Sequence, residues 1–305
     1  MRQLTGSHVA NCLKHRGLQM WVLNVSALVA LLTGSAVPLL PSLTAQGGLS
    51  PAAVPAVVAV TPMTTVTPVA TPPAVATEAV TANTPTTAGV RQNLVVLGDS
   101  VASGYGCSCG GFAADLAKAN GPAALTNDAE NGLTSAGLLA ELSSPMLQAA
   151  LASATVVTVT IGANDFDESQ AANASCVNAT CYAATLETMT TAITQITSRI
   201  SQLTKPGSTV VLTGYWNVFL DGAVGAGNGA NYVATSDALT RQVNASIAQI
   251  ASQQHMLYAD VYTPFKGDGS HDDTALLVSD GDHPNAAGHL LIAAAIAAAS
   301  HLVST

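Results

Sequence analysis

The stretch Leu94-Val95-Val96-Leu97-Gly98-Asp99-Ser100 decides the predicted fold of this chain. Its four apolar residues lie between Asn93 and Gly98, which is typical of a short strand buried on both faces. Strands of this kind occur in parallel sheets that helices cover on each side. The strand ends in a serine, and a serine held at a strand end is a candidate nucleophile.

The same alternation of short apolar runs and longer helical periods continues to the end of the chain. Strands are predicted at 94–97, 123–129, 155–161, 209–213 and 257–261. Helices are predicted at 111–120, at 135–151 with a break near Pro145, at 182–203, around 239–250, and from Pro284 to Ile296; a Gly-rich loop is expected up to Asn231. This order implies right-handed crossovers and an α/β fold, a parallel sheet with helices on both faces.

Ligands of such sheets bind outside the carboxyl ends of the strands. Ser100, Asn164 and the loop at Gly214 each come directly after a predicted strand. We therefore expect all three at one edge of the sheet.

Composition excludes nucleic acid as a partner and separates the chain into three segments. Charged residues make up 9% of the chain and the net charge is −9, so clustered cations for nucleic acid are lacking. Residues 1–45 show basic, apolar and small-residue regions in the order of a secretory signal, and an uncleaved membrane anchor is the alternative. Residues 46–91 form a Pro/Ala/Thr/Val-rich linker without helical or strand period. The folded domain is predicted at 92–305, secreted or at the cell surface.

Five cysteines are present, and Cys12 precedes the apolar run. An exported protein with four remaining cysteines is expected to form disulfides, and we favour a bond between Cys176 and Cys181. Cys107 and Cys109 would close a very tight ring, so they are strained, free or crossed to the other loop. A zinc site is the alternative for the four, although CxC and Cx4C are not usual zinc spacings.

Two distant stretches supply what a nucleophilic Ser100 needs. A serine requires a general base, and His283 is the candidate. The histidine in turn needs a carboxylate to fix its tautomer, and Asp280 is well placed to do so across a tight turn. Asp282 is the competitor, but its adjacency makes it harder to turn back onto the same ring.

An oxyanion intermediate needs hydrogen-bond donors. The backbone N–H of Ser100, the side-chain amide of Asn164 and the backbone N–H of Gly132 are the candidates. Each motif alone is a common turn or helix cap. Their combination at strand ends, in this order, favours catalysis.

The chain resembles the SGNH hydrolases, also called GDSL-type lipases and esterases. The resemblance rests on Gly98-Asp99-Ser100, on Gly132, on Gly162-Ala163-Asn164-Asp165 and on Asp280-Gly281-Asp282-His283, and it spans about residues 92–300. It implies a flavodoxin-like, three-layer α/β/α sandwich with a five-stranded parallel sheet. It also implies Ser100 as nucleophile, Asp280 and His283 as its triad partners, and Gly132 and Asn164 as oxyanion donors. Val101 departs from the leucine of the name-giving motif.

These features predict an exported carboxylic ester hydrolase that acts through an acyl-serine and needs no cofactor. Its partner would be a small-molecule or polysaccharide ester; a glycan O-acetyl ester is the nearest alternative substrate. Tyr215, Trp216 and Phe219 wall an acyl pocket, stack on a sugar or pack beneath their loop. The alternative of another class is an inactive binding module displayed on the linker.

Overall fold

The computed structural model describes residues 92–121, 124–300 and 302. The predicted signal or anchor at 1–45 and the linker at 46–91 lie outside the described residues. Within the described part of the chain, no helix combines the length and apolar character needed to cross a membrane.

A five-stranded sheet with all strands parallel forms the centre of the fold, in the order β2-β1-β3-β4-β5. The strands are β1 Asn93–Gly98, β2 Ala124–Asn127, β3 Val156–Thr160, β4 Thr209–Thr213 and β5 Leu257–Ala259. β3 is buried along its whole length, as predicted for a strand covered on both faces, whereas β2 is exposed at one edge.

Nine α-helices accompany the sheet in the described residues. They are α1 Ser100–Ser103, α2 Gly111–Ala119, α3 Ser135–Glu141, α4 Pro145–Ser153, α5 Ala183–Leu203, α6 Gly222–Gly227, α7 Ala230–Gln253, α8 Tyr262–Lys266 and α9 Ala286–Ser300. α2 packs against α9, and α5 packs against α3 and α7. α2 and α9 lie on one face of the sheet, and α3, α5 and α7 lie on the other. The reason is that the right-handed crossover from β1 to β2 runs in the opposite direction along the sheet from the crossovers that lead to β3, β4 and β5. The predicted α/β/α fold is confirmed.

Two predictions near the carboxyl edge are wrong in detail. The expected loop up to Asn231 contains α6, whose first N–H is capped by the side chain of Asp221 at 2.9 Å; its Gly/Ala composition has no apolar period.

Pro284 does not open the last helix. It pairs with Leu277 in a β-bridge, and Asn285 caps α9 by accepting from the N–H of Ala287 at 2.9 Å. β5 is also two residues shorter than predicted, and α8 was not predicted.

Gly98 is required where β1 meets β3. Its φ is +138°, and a Cβ atom added there would lie 1.9 Å from the carbonyl oxygen of Thr160. The backbone N–H of the next residue, Asp99, donates to that same oxygen at 3.0 Å. Close approach of the two strands at this point therefore sets the direction in which the chain leaves the sheet toward Ser100.

We predict that Gly98→Ala lowers the free energy of unfolding by several kcal/mol or prevents folding, because the Cβ must displace the β3 backbone. Gly227→Ala is the matched control, since a Cβ there meets no atom within 4 Å in α6. Chemical denaturation of both variants is the measurement. A Gly98→Ala protein as stable as the control would contradict the proposed packing.

Candidate active site

Ser100 lies at the junction of β1 and α1, at the carboxyl edge of the sheet. The Asp99 side chain caps α1 by accepting from the N–H of Val101 at 3.0 Å. Ser100 itself is 8% exposed and lines an open cleft of about 170 Å³. Asn164 and the loop after β4 line the same cleft, so the expectation that the strand ends meet at one edge holds.

Asp280 and His283 are held together by a tight loop before α9. Asp280 Oδ2 lies 2.8 Å from His283 Nδ1. Asp280 Oδ1 accepts from the backbone N–H groups of Asp282 at 2.9 Å and His283 at 3.1 Å. Partial burial would raise the pKa of Asp280, but these hydrogen bonds outweigh it and the pKa lies below its usual value. The loop therefore presents an ionised carboxylate to one nitrogen of the ring and leaves Nε2 for other chemistry.

Asp282 lies near the other nitrogen of the same imidazole. Its Oδ2 lies 3.7 Å from His283 Nε2, beyond hydrogen-bond distance, and it lines the cleft. Burial raises the pKa of Asp282, while the positive form of His283 would oppose that shift. The geometry thus separates the two carboxylates, with Asp280 on Nδ1 and Asp282 on the cleft side.

Asn164 sits in the 3-10 turn Ala163–Asp165 directly after β3. Its Nδ2 donates one hydrogen to the carbonyl of Leu133 at 3.0 Å. The neighbouring Asp165 accepts from the N–H of Ser135 at 3.0 Å and from its hydroxyl at 2.7 Å. These bonds tie the turn to the Gly132 segment. Gly132 itself is exposed and is not among the described residues that line the cleft.

A family model described as GDSL-like Lipase/Acylhydrolase matches residues 96–291, nearly two thirds of the chain. The chain belongs to this GDSL-like lipase/acylhydrolase family. The match contains every candidate site residue, and membership supports ester hydrolysis as the class of activity. Among curated protein sequences, none matches the chain significantly.

Solved structures resemble this GDSL-like hydrolase over its folded part. A lipase from a goat rumen metagenome is 20% identical with a TM-score of 0.57, covering 68% of this chain and 97% of that one. An extracellular lipase from Streptomyces rimosus is 23% identical with a TM-score of 0.52, covering 68% and 99%. At these identities the likeness shows a shared fold alone.

A buried hydrogen bond next to Ser100 was not predicted. The hydroxyl of Tyr215, in the loop after β4, donates to Asp99 Oδ2, and both side chains are buried. Burial raises the pKa of Asp99 to about 7, although the bonds from Tyr215 and the N–H of Val101 oppose the shift. The β1 and β4 ends of the GDSL-like site are therefore joined next to Ser100.

The aromatic residues after β4 pack into the core and also line the cleft. Tyr215, Trp216 and Phe219 are at most 5% exposed and pack into the core, with Trp216 stacked on Phe265 at a ring distance of 4.8 Å. All three also line the cleft beside Ser100. They form its apolar wall while anchoring the loop that carries them.

A buried ion pair supports the histidine loop from behind. Lys266 Nζ lies 2.6 Å from Asp221 Oδ2 and 3.9 Å from Asp273 Oδ2. The backbone N–H of Asp221 donates to the carbonyl of Gly281 at 2.7 Å. Gly281 has φ +74°, and an added Cβ would lie 2.5 Å from Val224 Cβ. The ion pair and this close contact hold the turn between Asp280 and His283.

The cysteines pair within their own segments. The sulfur atoms of Cys176 and Cys181 lie at bonding distance, as the sequence favoured, and so do those of Cys107 and Cys109. The described residues hold one group of possible metal ligands, Cys107, Cys109 and His289, within 4.8 Å of one another. The crossed pairing considered from sequence is not found.

We predict that Asp99→Asn changes the pH dependence of stability. The folded pKa of Asp99, about 7, exceeds its usual 3.8, so the folded protein keeps a proton that the unfolded chain releases. The stability contributed by this group is therefore present at low pH and is lost as pH rises from about 4 to 7. Asparagine has no such loss.

The free energy of unfolding of wild type and variant, measured from about pH 4 to pH 8, is the test. We expect the free energy of unfolding of the variant, relative to that of wild type, to increase by up to about 4 kcal/mol as pH rises. A constant offset from altered hydrogen bonds leaves this slope unaffected. Two parallel curves would contradict the pKa assignment.

Proposed function

We propose that this chain is an exported carboxylic ester hydrolase that works through an acyl-serine intermediate on Ser100. The observation that carries the proposal is the 2.8 Å contact between Asp280 Oδ2 and His283 Nδ1. Asp282, in the same loop, lines the cleft that contains Ser100. Family membership supports the same class of reaction. Two disulfides support an oxidising compartment and hence export.

The proposed reaction has two matched halves. His283 Nε2 accepts the proton of Ser100 Oγ while that oxygen attacks the ester carbonyl carbon. Asp280 holds the tautomer of the ring and stabilises the imidazolium. The imidazolium then protonates the departing alcohol, leaving the acyl group on Ser100. Water, deprotonated by the same nitrogen, releases the acid and restores the hydroxyl.

The negative oxygen formed in each half requires donors. Asn164 Nδ2 gives one hydrogen to Leu133 and carries a second that the proposal assigns to the oxyanion. The backbone N–H of Ser100 is the other proposed donor at the cleft. Gly132 is not among the described residues that line the cleft, so its N–H stays a prediction as the third donor. Loss of one such donor typically raises the barrier by about 3 to 4 kcal/mol.

The cleft favours small acyl groups. Its volume of about 170 Å³ lies below the roughly 300 Å³ at which drug-sized ligand sites begin. Glu168, Asn217 and Asp282 also line it and can bond to hydroxyl groups. This polar side favours, as the second candidate, an acetyl ester carried by a polyol such as a glycan. Acetate release from acetylated glycan, compared with hydrolysis of an octanoate ester, separates the two.

We predict that Ser100→Ala lowers kcat on p-nitrophenyl acetate by about 10⁴-fold or more, because it removes the hydroxyl that carries the proposed acyl intermediate. The circular dichroism spectrum and melting temperature of the variant serve as the folding control. Full turnover by a pure, folded Ser100→Ala protein would contradict the proposal. A wild type without turnover would favour the inactive binding module.

We predict unequal effects of the two carboxylates beside His283. Asp280→Asn should lower kcat by up to about 10⁴-fold, because the amide no longer fixes the productive tautomer. Asp282→Asn is the matched control, and we expect only a several-fold change because its oxygen lies 3.7 Å from Nε2. A larger loss of kcat in Asp282→Asn than in Asp280→Asn would contradict the assignment of Asp280 as the carboxylate that orients His283.

A further inference from the structure

The segment after α1 touches both ends of the proposed catalytic pair. The N–H of Tyr105 donates to the carbonyl of Ser100 at 3.0 Å. The Tyr105 ring packs edge-on against the imidazole of His283, with centroids 4.8 Å apart. At Gly106, an added Cβ would lie 3.4 Å from His283 Cβ. Residues 105–106 therefore act as a support for His283 that is anchored at the nucleophile.

The Cys107–Cys109 bond fixes the far end of this support. Cys107 follows Gly106 directly, and its N–H donates to the carbonyl of Gly104 at 3.2 Å. Both cysteines are partly exposed, so an external thiol can reach them. The bond closes only a three-residue loop, which constrains the unfolded chain little. Its main effect is therefore on the local position of the segment rather than on global stability.

The buried His289 lies beside the two sulfur atoms. Its Nδ1 accepts the N–H of Phe112 at 3.2 Å, which assigns the ring proton to Nε2. Nε2 is buried without a hydrogen-bond partner among the described residues. Burial lowers the pKa of His289 to about 4, so the ring is neutral near pH 7. A thiolate formed here would have this neutral ring, with its buried N–H, as a neighbour.

The same tautomer argues against a metal at these three residues. A metal needs a free nitrogen lone pair, but the lone pair of Nδ1 accepts from Phe112 and Nε2 carries the proton. The two sulfur atoms are bonded to each other. Sulfur exchange is the chemistry that this arrangement permits without breaking the Phe112 contact.

We propose that Cys107–Cys109 is a thiol–disulfide exchange site that regulates the active site by positioning His283. The proposal rests on the function proposed above. A thiolate of an external dithiol attacks one sulfur atom, breaks the S–S bond and forms a mixed disulfide. The second thiol of the reductant then displaces that cysteine. Two electrons and two protons reach the cysteines, and the dithiol becomes a cyclic disulfide.

Reduction removes the covalent bond between Cys107 and Cys109 and leaves the segment with its backbone hydrogen bonds to Ser100 and Gly104, so residues 105–106 hold the imidazole less firmly. We expect kcat to fall about 10-fold or more, within the range caused by misplacing a catalytic group. KM should change little, because the segment contacts the backbone carbonyl of Ser100 and the ring of His283 and none of the other described residues that line the cleft is among its contacts. Reoxidation should restore kcat.

The test uses the Cys176→Ser/Cys181→Ser variant, in which Cys107–Cys109 is the remaining disulfide of the described residues. Its kcat and KM are measured with oxidised and with reduced dithiothreitol, alongside wild type. Cys107→Ser/Cys109→Ser is the second variant, and we expect a low kcat that reductant does not change. Iodoacetamide labelling verifies that both thiols are free after reduction.

A second readout does not depend on turnover. The imidazole proton signal of His283, assigned by its loss in His283→Ala, should shift on reduction because the Tyr105 ring moves away. An unchanged signal and unchanged kcat with both thiols labelled would overturn the exchange site while leaving the hydrolase intact. Absence of Ser100-dependent turnover would overturn the hydrolase, and the His283 signal would still decide the exchange site.

Discussion

The contact between Asp280 Oδ2 and His283 Nδ1, 2.8 Å long, is the interaction on which the proposed chemistry depends. It forms within one turn of four residues, so its geometry is set by that turn. The carbonyl of Gly281 is held by the N–H of Asp221, whose carboxylate is paired with the buried Lys266. Removing one partner of a buried ion pair leaves an uncompensated charge, so this support is strongly coupled to the fold.

The sequence predicted the features that depend on period and strand order. Parallel strands all end at one edge, so Ser100 and Asn164 could be placed together without knowing the loops between them. The preference for Asp280 over Asp282 followed from the reach of a side chain across three residues. In the structure Asp280 contacts Nδ1 of His283 at 2.8 Å, whereas Asp282 lies 3.7 Å from Nε2, beyond hydrogen-bond distance. The Pro145 break between α3 and α4 was equally local and was also predicted.

Other features depend on contacts between residues far apart in sequence and could not be predicted. Tyr215 donates to Asp99 across 116 positions, and no local pattern distinguishes it from its aromatic neighbours. Pro284 was predicted to start the last helix, but it forms a β-bridge with Leu277, and α9 begins at Ala286. Gly132 was assigned by its place in the chain, and it is exposed and not among the described residues that line the cleft. The Tyr105 support for His283 likewise appears only when the two segments meet in space.

We propose that Ser100 is a nucleophile activated by His283. Labelling the intact protein with a fluorophosphonate and locating the adduct by peptide mass spectrometry tests it most directly. We expect one adduct per chain, on Ser100, and its loss in a folded His283→Ala variant. An adduct on another residue, or no adduct on a folded wild type, would contradict it.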